Sequence, residues 1–93
     1  MGRINKGDMV PILKLFWKEN CANCPQAKKF AKEIESYLKV EFHNADTPEG
    51  LAEATFYDIL STPSFVLVDD AGRELKSWHG KIPSKDEILE LIK

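Results

Sequence analysis

Apolar and polar positions follow one another in blocks that predict an α/β chain beginning with a strand and a helix. A short apolar run predicts a buried strand at residues 12–17. From Cys21 onward, apolar residues recur every three or four positions, which indicates an amphipathic helix of about four turns. Its predicted apolar stripe consists of Cys24, Ala27, Ala31, Ile34 and Leu38.

The middle of the chain predicts a second strand and a second helix. Side chains alternate in character at residues 40–45, as in a strand. Thr47 is a candidate N-cap, and Pro48 follows at the first helical position. The helix should stop before Ser61-Thr62-Pro63, because a proline disfavours helical backbone at the preceding residue. The side chains expected to face the core are Leu51, Ala52, Thr55, Phe56, Ile59 and, as a further candidate, Leu60.

The last third of the chain predicts a hairpin and a final helix. The run Phe65 to Val68 is a strand, Asp69 to Gly72 is a turn, and residues 73–79 can pair back. Ser84 and Glu87 have capping-box spacing, which starts a short helix. The order β-α-β-α-β-β-α predicts an α/β fold with a four-stranded sheet flanked by three helices.

Length and charge restrict the classes of function. The 93 residues suit one domain, which we place at residues 10–93 after a flexible segment at 1–9. The net charge of -2, without a dense basic cluster, argues against a nucleic-acid partner. The polar start has neither an export signal nor a membrane span, and two cysteines alone cannot build a secreted disulfide framework. We therefore expect a cytoplasmic monomer that does not bind membranes.

The candidate chemistry lies in Cys21-Ala22-Asn23-Cys24, where the first strand turns into the first helix. At a helix N-terminus, free N–H groups and the helix dipole stabilise a thiolate, so Cys21 is the expected nucleophile. Cys24 lies one turn further on, within the apolar stripe, and is the expected resolving thiol. Pro25 is tolerated within the first helical turn.

Other interpretations of the two cysteines remain open. They can be inert buried thiols, although an exposed helix start is a poor place to bury sulfur. They can also bind zinc or an iron–sulfur cluster. A site within one chain lacks further ligands at suitable spacing, so a metal would have to be shared by two chains. A redox-inactive interaction scaffold is hard to reconcile with two intact cysteines.

These residues resemble the thioredoxin family. The resemblance rests on residues 15–24, with their strand, aromatic pair and CxxC, on Ser61-Thr62-Pro63 before a strand, and on Asp70-Ala71-Gly72 as a hairpin turn. It covers roughly residues 10 to 93 and implies a thioredoxin-like fold of glutaredoxin size. The resemblance also implies a cis peptide bond at Pro63 and main-chain binding of an extended client at Thr62.

The resemblance also implies an activity. It indicates a thiol–disulfide oxidoreductase that reduces protein disulfides, takes part in electron transport and redox homeostasis, and needs no cofactor beyond the Cys21–Cys24 pair. Its partners would be disulfide-containing proteins and an electron donor of the thioredoxin-reductase type. The segment His79-Gly80 matches the Gly-Gly pair of glutaredoxins poorly, so we expect independence from glutathione.

Several neighbouring residues have candidate roles. Trp17 is either a core aromatic residue or a wall beside the cysteines, and Gly80 completes the expected substrate site. His79 either favours the Cys21 thiolate or is a solvated histidine at a strand end. Lys28 and Lys29 are assigned to a solvated helix face. Leu15 occupies the position where thioredoxins carry a buried acid, so water or a nearby carboxylate such as that of Glu19 must accept the proton of Cys24.

Overall fold

The computed structural model describes residues 10–92 and contains the seven predicted elements in the predicted order. The expected flexible segment at 1–9 lies outside the described residues. The strands are β1 (Ile12–Trp17), β2 (Lys39–Asn44), β3 (Ser64–Val68) and β4 (Glu74–His79). The helices are α1 (Cys24–Ile34), α2 (Pro48–Phe56) and α3 (Lys85–Ile92). The predicted fold class, a four-stranded mixed sheet with three helices, is confirmed.

The strand order in the sheet is β2-β1-β3-β4. Strand β1 is parallel to β2 and antiparallel to β3, and β3 is antiparallel to β4. Every residue of β3 is buried, as its continuous apolar run suggests, whereas β2 lies at an edge and is partly exposed. This topology puts β1, the strand that leads to the two cysteines, in the interior of the sheet.

Each face of the sheet packs against its own helices. Leu13, Leu15 and Phe65 face α1 and α3, and Phe16 and Val66 face α2. All five residues of the predicted α1 stripe are buried. Helix α1 itself is shorter than predicted: it ends at Ile34, and Leu38 reaches the core from the turn that follows.

The predicted inward face of α2 is wrong, although Ile59, which follows the helix, is buried as expected. The helix turns Gly50 and Ala54 toward the sheet and leaves Leu51 and Phe56 56% and 74% exposed. A Cβ atom at Gly50 would collide with the carbonyl group of Asn44, so only glycine permits this close approach to the end of β2. Close packing through small residues, rather than burial of the largest ones, decides the orientation of α2.

Helix α2 ends in a Schellman motif. Asp58 adopts the left-handed conformation, with φ 58°, and its N–H donates to the carbonyl of Thr55. The N–H of Ile59 donates to the carbonyl of Ala54 at 2.8 Å, and both side chains lie in the α2-side core. The motif fixes Ile59 inward, and the next side chain, Leu60, is 96% exposed.

Beneath α2, β1 carries a buried cation. The Lys14 ammonium bonds to Glu41 on β2 at 3.0 Å and to Glu53 on α2. Burial opposes its charge, but the hydrogen bonds to Glu53 and Glu41 outweigh that effect and raise the pKa of Lys14. Burial likewise disfavours the charge of Glu41, and its bonds to Lys14 and His43 outweigh that effect and lower its pKa. These pairs join α2 to the two strands beneath it.

The turns near the C-terminus use local hydrogen bonds. Asp69 closes the β3–β4 turn by accepting from the N–H groups of Ala71 and Arg73, and the bond from Arg73 is the main reason that its pKa is lowered. Ser84 and Glu87 exchange backbone-to-side-chain bonds at 3.1 Å, as the capping box predicts. No helix within residues 10–92 is long and apolar enough to cross a membrane.

Candidate active site

Four chain segments meet at one end of the sheet, where the strand termini lie side by side. We call this end the active-site edge. The registers pair Phe16 with Ser64, Trp17 with Asn44, and Ser64 with His79. The ends of β1, β2 and β4 and the start of β3 therefore lie together. The CxxC segment follows β1 directly, and Pro63 directly precedes β3, so the topology brings both sequence-predicted motifs to this edge.

Cys21 and Cys24 form a disulfide at this edge, with their Cα atoms 5.3 Å apart. Cys24 is the first residue of α1 and is only 2% exposed, whereas Cys21 precedes the helix and is half-buried. A partner can therefore reach the sulfur of Cys21 more easily than that of Cys24.

The start of α1 leaves its positive end available to Cys21. Asn23 is the N-cap residue, but its side chain makes no capping hydrogen bond, and the first turn contains no acidic residue. Pro25 lies within that turn and has no N–H. The dipole of α1 is therefore not neutralised locally by a carboxylate, which favours a thiolate at Cys21 when the disulfide is reduced.

The loop before β3 is fixed by Ser64. The Thr62–Pro63 peptide bond is cis, Pro63 is buried, and Thr62 is half-buried. The Ser64 hydroxyl donates to the carbonyl of Ser61 at 2.7 Å and accepts from the N–H of Gly80 at 3.0 Å. This buried hydroxyl links the loop to Gly80, two parts of the predicted site, but Ser64 is not among the residues that the sequence motifs single out. Its signal in the sequence is a hydroxyl residue directly after the predicted cis-proline.

Trp17, the last residue of β1, packs against α1. It is half-buried and packs on the core formed by the sheet, α1 and α3. The Lys28 ammonium lies 3.3 Å from the centroid of its ring, and Lys28 is half-buried while Lys29 is exposed. The assignment of Lys28 to a solvated face is therefore wrong. The spacing of four residues from Cys24 to Lys28 could have indicated that Lys28 lies near the packed face of α1, because such positions share one helix face.

The sequence also assigns candidate roles near the cysteines to His79, Leu15 and Glu19. His79 is exposed, and its Nε2 atom lies 3.0 Å from the Ser77 hydroxyl. Leu15 is fully buried, so β1 places no acid behind the cysteines. Glu19 is exposed, and its backbone N–H donates to Asp46, which ties the segment after β1 to the one after β2.

Three potential metal ligands within the described residues lie together on β2 and α2. Glu41, His43 and Glu53 place three potential ligand atoms within 4.8 Å of one another. The Lys14 ammonium bonds to both carboxylates and already supplies the positive charge there. At the active-site edge, a metal would need both cysteines as free thiolates, and they are bonded to each other in this structure.

Comparison with known families identifies the fold. A family model described as a thioredoxin domain matches residues 12–93. The chain belongs to the thioredoxin family. Comparison with curated proteins found no match.

Solved structures give the same result. A thioredoxin from Thermus thermophilus is 30% identical, with 87% of this chain and 70% of that chain covered and a TM-score of 0.64. A mutant thioredoxin from Halobacterium salinarum shares the fold, with 23% identity, coverages of 92% and 74% and a TM-score of 0.74. So does an uncharacterised thioredoxin-like protein from Clostridium perfringens, with 21% identity, coverages of 89% and 68% and a TM-score of 0.71.

Membership of the family and the Cys21–Cys24 pair together support a role in thiol–disulfide oxidoreduction. The resemblance derived from the sequence is confirmed, and so is the expectation of a redox-active disulfide.

Proposed function

We propose that this protein reduces disulfides in other proteins, with Cys21 as the attacking thiol and Cys24 as the resolving thiol. The observation that carries this assignment is the contrast between the two sulfurs: Cys21 is partly accessible just before the positive end of α1, and Cys24, the first residue of α1, is buried. A thiolate is the nucleophile in disulfide exchange, and access decides which sulfur is attacked.

The reaction has two exchange steps. In the first, the Cys21 thiolate attacks one sulfur of the client disulfide, which forms a mixed disulfide and releases one client thiolate. In the second, Cys24 loses its proton and attacks the Cys21 sulfur, which forms the Cys21–Cys24 disulfide and releases the second client thiolate. Two electrons pass to the client, and both client thiolates end protonated through solvent.

The second step needs an acceptor for the Cys24 proton. Leu15 supplies none, and Glu19 is exposed at the start of the loop. We propose that water at the open edge carries this proton to the departing client thiolate. The Thr62–Pro63 segment would hold the client backbone during both steps, as the family resemblance implies.

Regeneration requires a dithiol donor. We propose a reductase of the thioredoxin-reductase type in a reducing compartment such as the cytoplasm, and independence from glutathione. A reduction potential near the thioredoxin value of about -270 mV would support this direction, and one near about -120 mV would instead indicate an oxidant. Equilibration in graded redox buffers, with alkylation of the free cysteines, gives the potential.

Reduction of insulin by the reduced protein, followed by turbidity, tests the function itself. With dithiothreitol as the electron donor, wild type should reduce insulin faster than dithiothreitol alone does, and Cys21→Ser should not. Replacing the thioredoxin-reductase donor by glutathione and its reductase should abolish turnover. A wild-type rate equal to background would refute the proposed activity.

A further inference from the structure

Lys28 is a cation whose charge is not neutralised by a carboxylate. Its ammonium lies over the ring of Trp17, and within residues 10–92 no acidic side chain forms an ion pair with it. The buried Lys14, in contrast, bonds to two carboxylates. Of the three lysines of α1, Lys28 alone is half-buried, whereas Lys29 and Lys32 are exposed. The charge of Lys28 is therefore available to another group.

The helix places Lys28 one turn after Cys24. Residues four apart in an α-helix are neighbours on its surface. A lysine side chain in a helix leans toward the N-terminus, and Cys24 is the first residue of α1. The ring on which the ammonium rests belongs to the last residue of β1, the strand that leads to the cysteines. The charge of Lys28 is thus directed toward the turn that contains Cys24.

Cys24 needs a nearby cation in the second exchange step. Its side chain is only 2% exposed, and burial raises the pKa of a thiol because a buried thiolate is poorly solvated. The attacking species in that step is nonetheless the thiolate. A neighbouring positive charge favours the thiolate and offsets the effect of burial.

The other charged groups around α1 and the active-site edge are engaged elsewhere or open to solvent. Strand β1 contributes the buried Leu15, which carries no charge. On β2, Glu41 and His43 bond to each other on the α2 side of the sheet, the side opposite to α1. The charged residues that are exposed near this edge are Lys18, Glu19, Lys29 and His79. Lys28 is the half-buried charge among them.

We propose that the Lys28 ammonium stabilises the thiolate of Cys24 during the second exchange step. The inference rests on the proposed function and adds the residue that makes the buried thiol reactive. In the mixed disulfide, the Cys24 thiol gives its proton to water, and the thiolate attacks the Cys21 sulfur. The bond between Cys21 and the client sulfur breaks, and the client thiolate takes a proton from water. Lys28 keeps its proton throughout.

Stopped-flow reaction of the reduced protein with dithiodipyridine, an uncharged disulfide, separates the two steps. Attack by Cys21 releases a first thiopyridone, at a rate that rises with the concentration of the reagent. Closure of the Cys21–Cys24 disulfide releases a second thiopyridone, at a rate that does not depend on that concentration. Measured from about pH 5.5 to about pH 9.5, the rate of the second phase reports the ionisation of Cys24.

Lys28→Met removes the charge and keeps an unbranched side chain. We expect the apparent pKa of the second phase to rise by about one pH unit. This phase should then slow about threefold at neutral pH and become faster than in wild type at about pH 9.5, because a more basic thiolate is the better nucleophile. The first phase should slow by less than about twofold. Lys28→Arg should restore the wild-type profile, and Lys29→Met, at an exposed neighbour, should leave it unchanged.

A second measurement needs no change at Lys28. In reduced Cys21→Ser, ultraviolet absorbance of the thiolate should place the pKa of Cys24 below the free-thiol value of about 8.5, despite its burial.

Four outcomes would overturn the inference: a Cys24 pKa above that value, an unchanged profile in Lys28→Met, slowing by one constant factor at every pH, as a structural defect would cause, or an equal shift in Lys29→Met. If wild type releases no thiopyridone, or only the first, the proposed function itself fails. If it releases both and the variants share its profile, only the inference about Lys28 fails.

Discussion

The Lys28 ammonium covers the ring of Trp17, at 3.3 Å from its centroid. The contact joins the helix that begins with Cys24 to the end of the strand that leads to Cys21. Because a lysine side chain in a helix leans toward the N-terminus, Lys28 also directs its charge toward the turn that carries the cysteines.

Lys28→Met should therefore weaken the attachment of α1 to β1. We expect the free energy of unfolding of the oxidised protein to fall by about 0.5–1 kcal/mol, the usual size of such a cation–π contact. Urea unfolding measures it, and alkylation of Cys21 at neutral pH should slow at the same time because a nearby cation is lost. Lys29→Met is the control, since it removes the same charge from an exposed neighbour. Equal effects of the two variants would show that the ring contact contributes nothing.

The buried ion cluster under α2 predicts a dependence of stability on pH. The pKa of Glu41 is lowered in the folded protein, so its contribution is present above the unfolded value and is lost as pH falls through the folded value. Lys14→Met should cost about 2 kcal/mol at neutral pH, because it leaves two partly buried carboxylates without their cation. The cost should shrink as pH falls from about 4.5, the usual glutamate value, through the lowered pKa of Glu41, because protonated Glu41 no longer needs the cation.

Urea unfolding of wild type and Lys14→Met across this pH range measures that difference. Lys39→Met, which removes an exposed lysine from β2, should stay within about 0.5 kcal/mol of wild type throughout. A constant cost for Lys14→Met down to low pH would contradict the role of the carboxylates.

Gly50 gives a test of α2 packing that opposes helix propensity. Alanine is normally better than glycine in a helix by about 1 kcal/mol. Here the added Cβ meets the carbonyl of Asn44, so Gly50→Ala should instead lower the free energy of unfolding by about 3 kcal/mol. Thr55→Ala, on the exposed side of the same helix, should change it by less than about 0.5 kcal/mol. Stabilisation by Gly50→Ala would show that α2 does not approach β2 this closely.

Ser64 predicts a coupling between stability and the active-site edge. Ser64→Ala removes the partner of the Gly80 N–H and of the Ser61 carbonyl, and should cost about 1–3 kcal/mol. Insulin reduction should slow more than in Ser77→Ala, which alters a hydroxyl on β4 away from the loop. Thermal unfolding and insulin turbidity measure the two effects, and wild-type values in both would remove Ser64 from the site.

The sequence predicted the elements well because their signals are local. The apolar run of β1, the stripe on α1 and the capping box at Ser84 each depend on residues close in the chain. The predicted orientation of α2 is wrong because the true one depends on the close approach of Gly50 to Asn44, which only the packed fold reveals.

The candidate site shows the same division. Cys21, Cys24 and Pro63 were identified from short motifs, and the topology brings their segments to one edge. The pairing of Lys14 with Glu53, the covering of Trp17 by Lys28 and the bond from Gly80 to Ser64 join residues on separate elements. No local pattern encodes such contacts, because they depend on strand order and on which helix covers which face.

Trapping of a mixed disulfide tests the assignment of the two thiols most directly. Reduced Cys24→Ser, incubated with a disulfide-bonded peptide, should accumulate an adduct that peptide mass mapping places on Cys21, because the resolving thiol is missing. Reduced Cys21→Ser should form little adduct, since the Cys24 sulfur is only 2% exposed. An adduct on Cys24 of Cys21→Ser that forms as fast as the one on Cys21 of Cys24→Ser, or no adduct in either variant, would contradict the account.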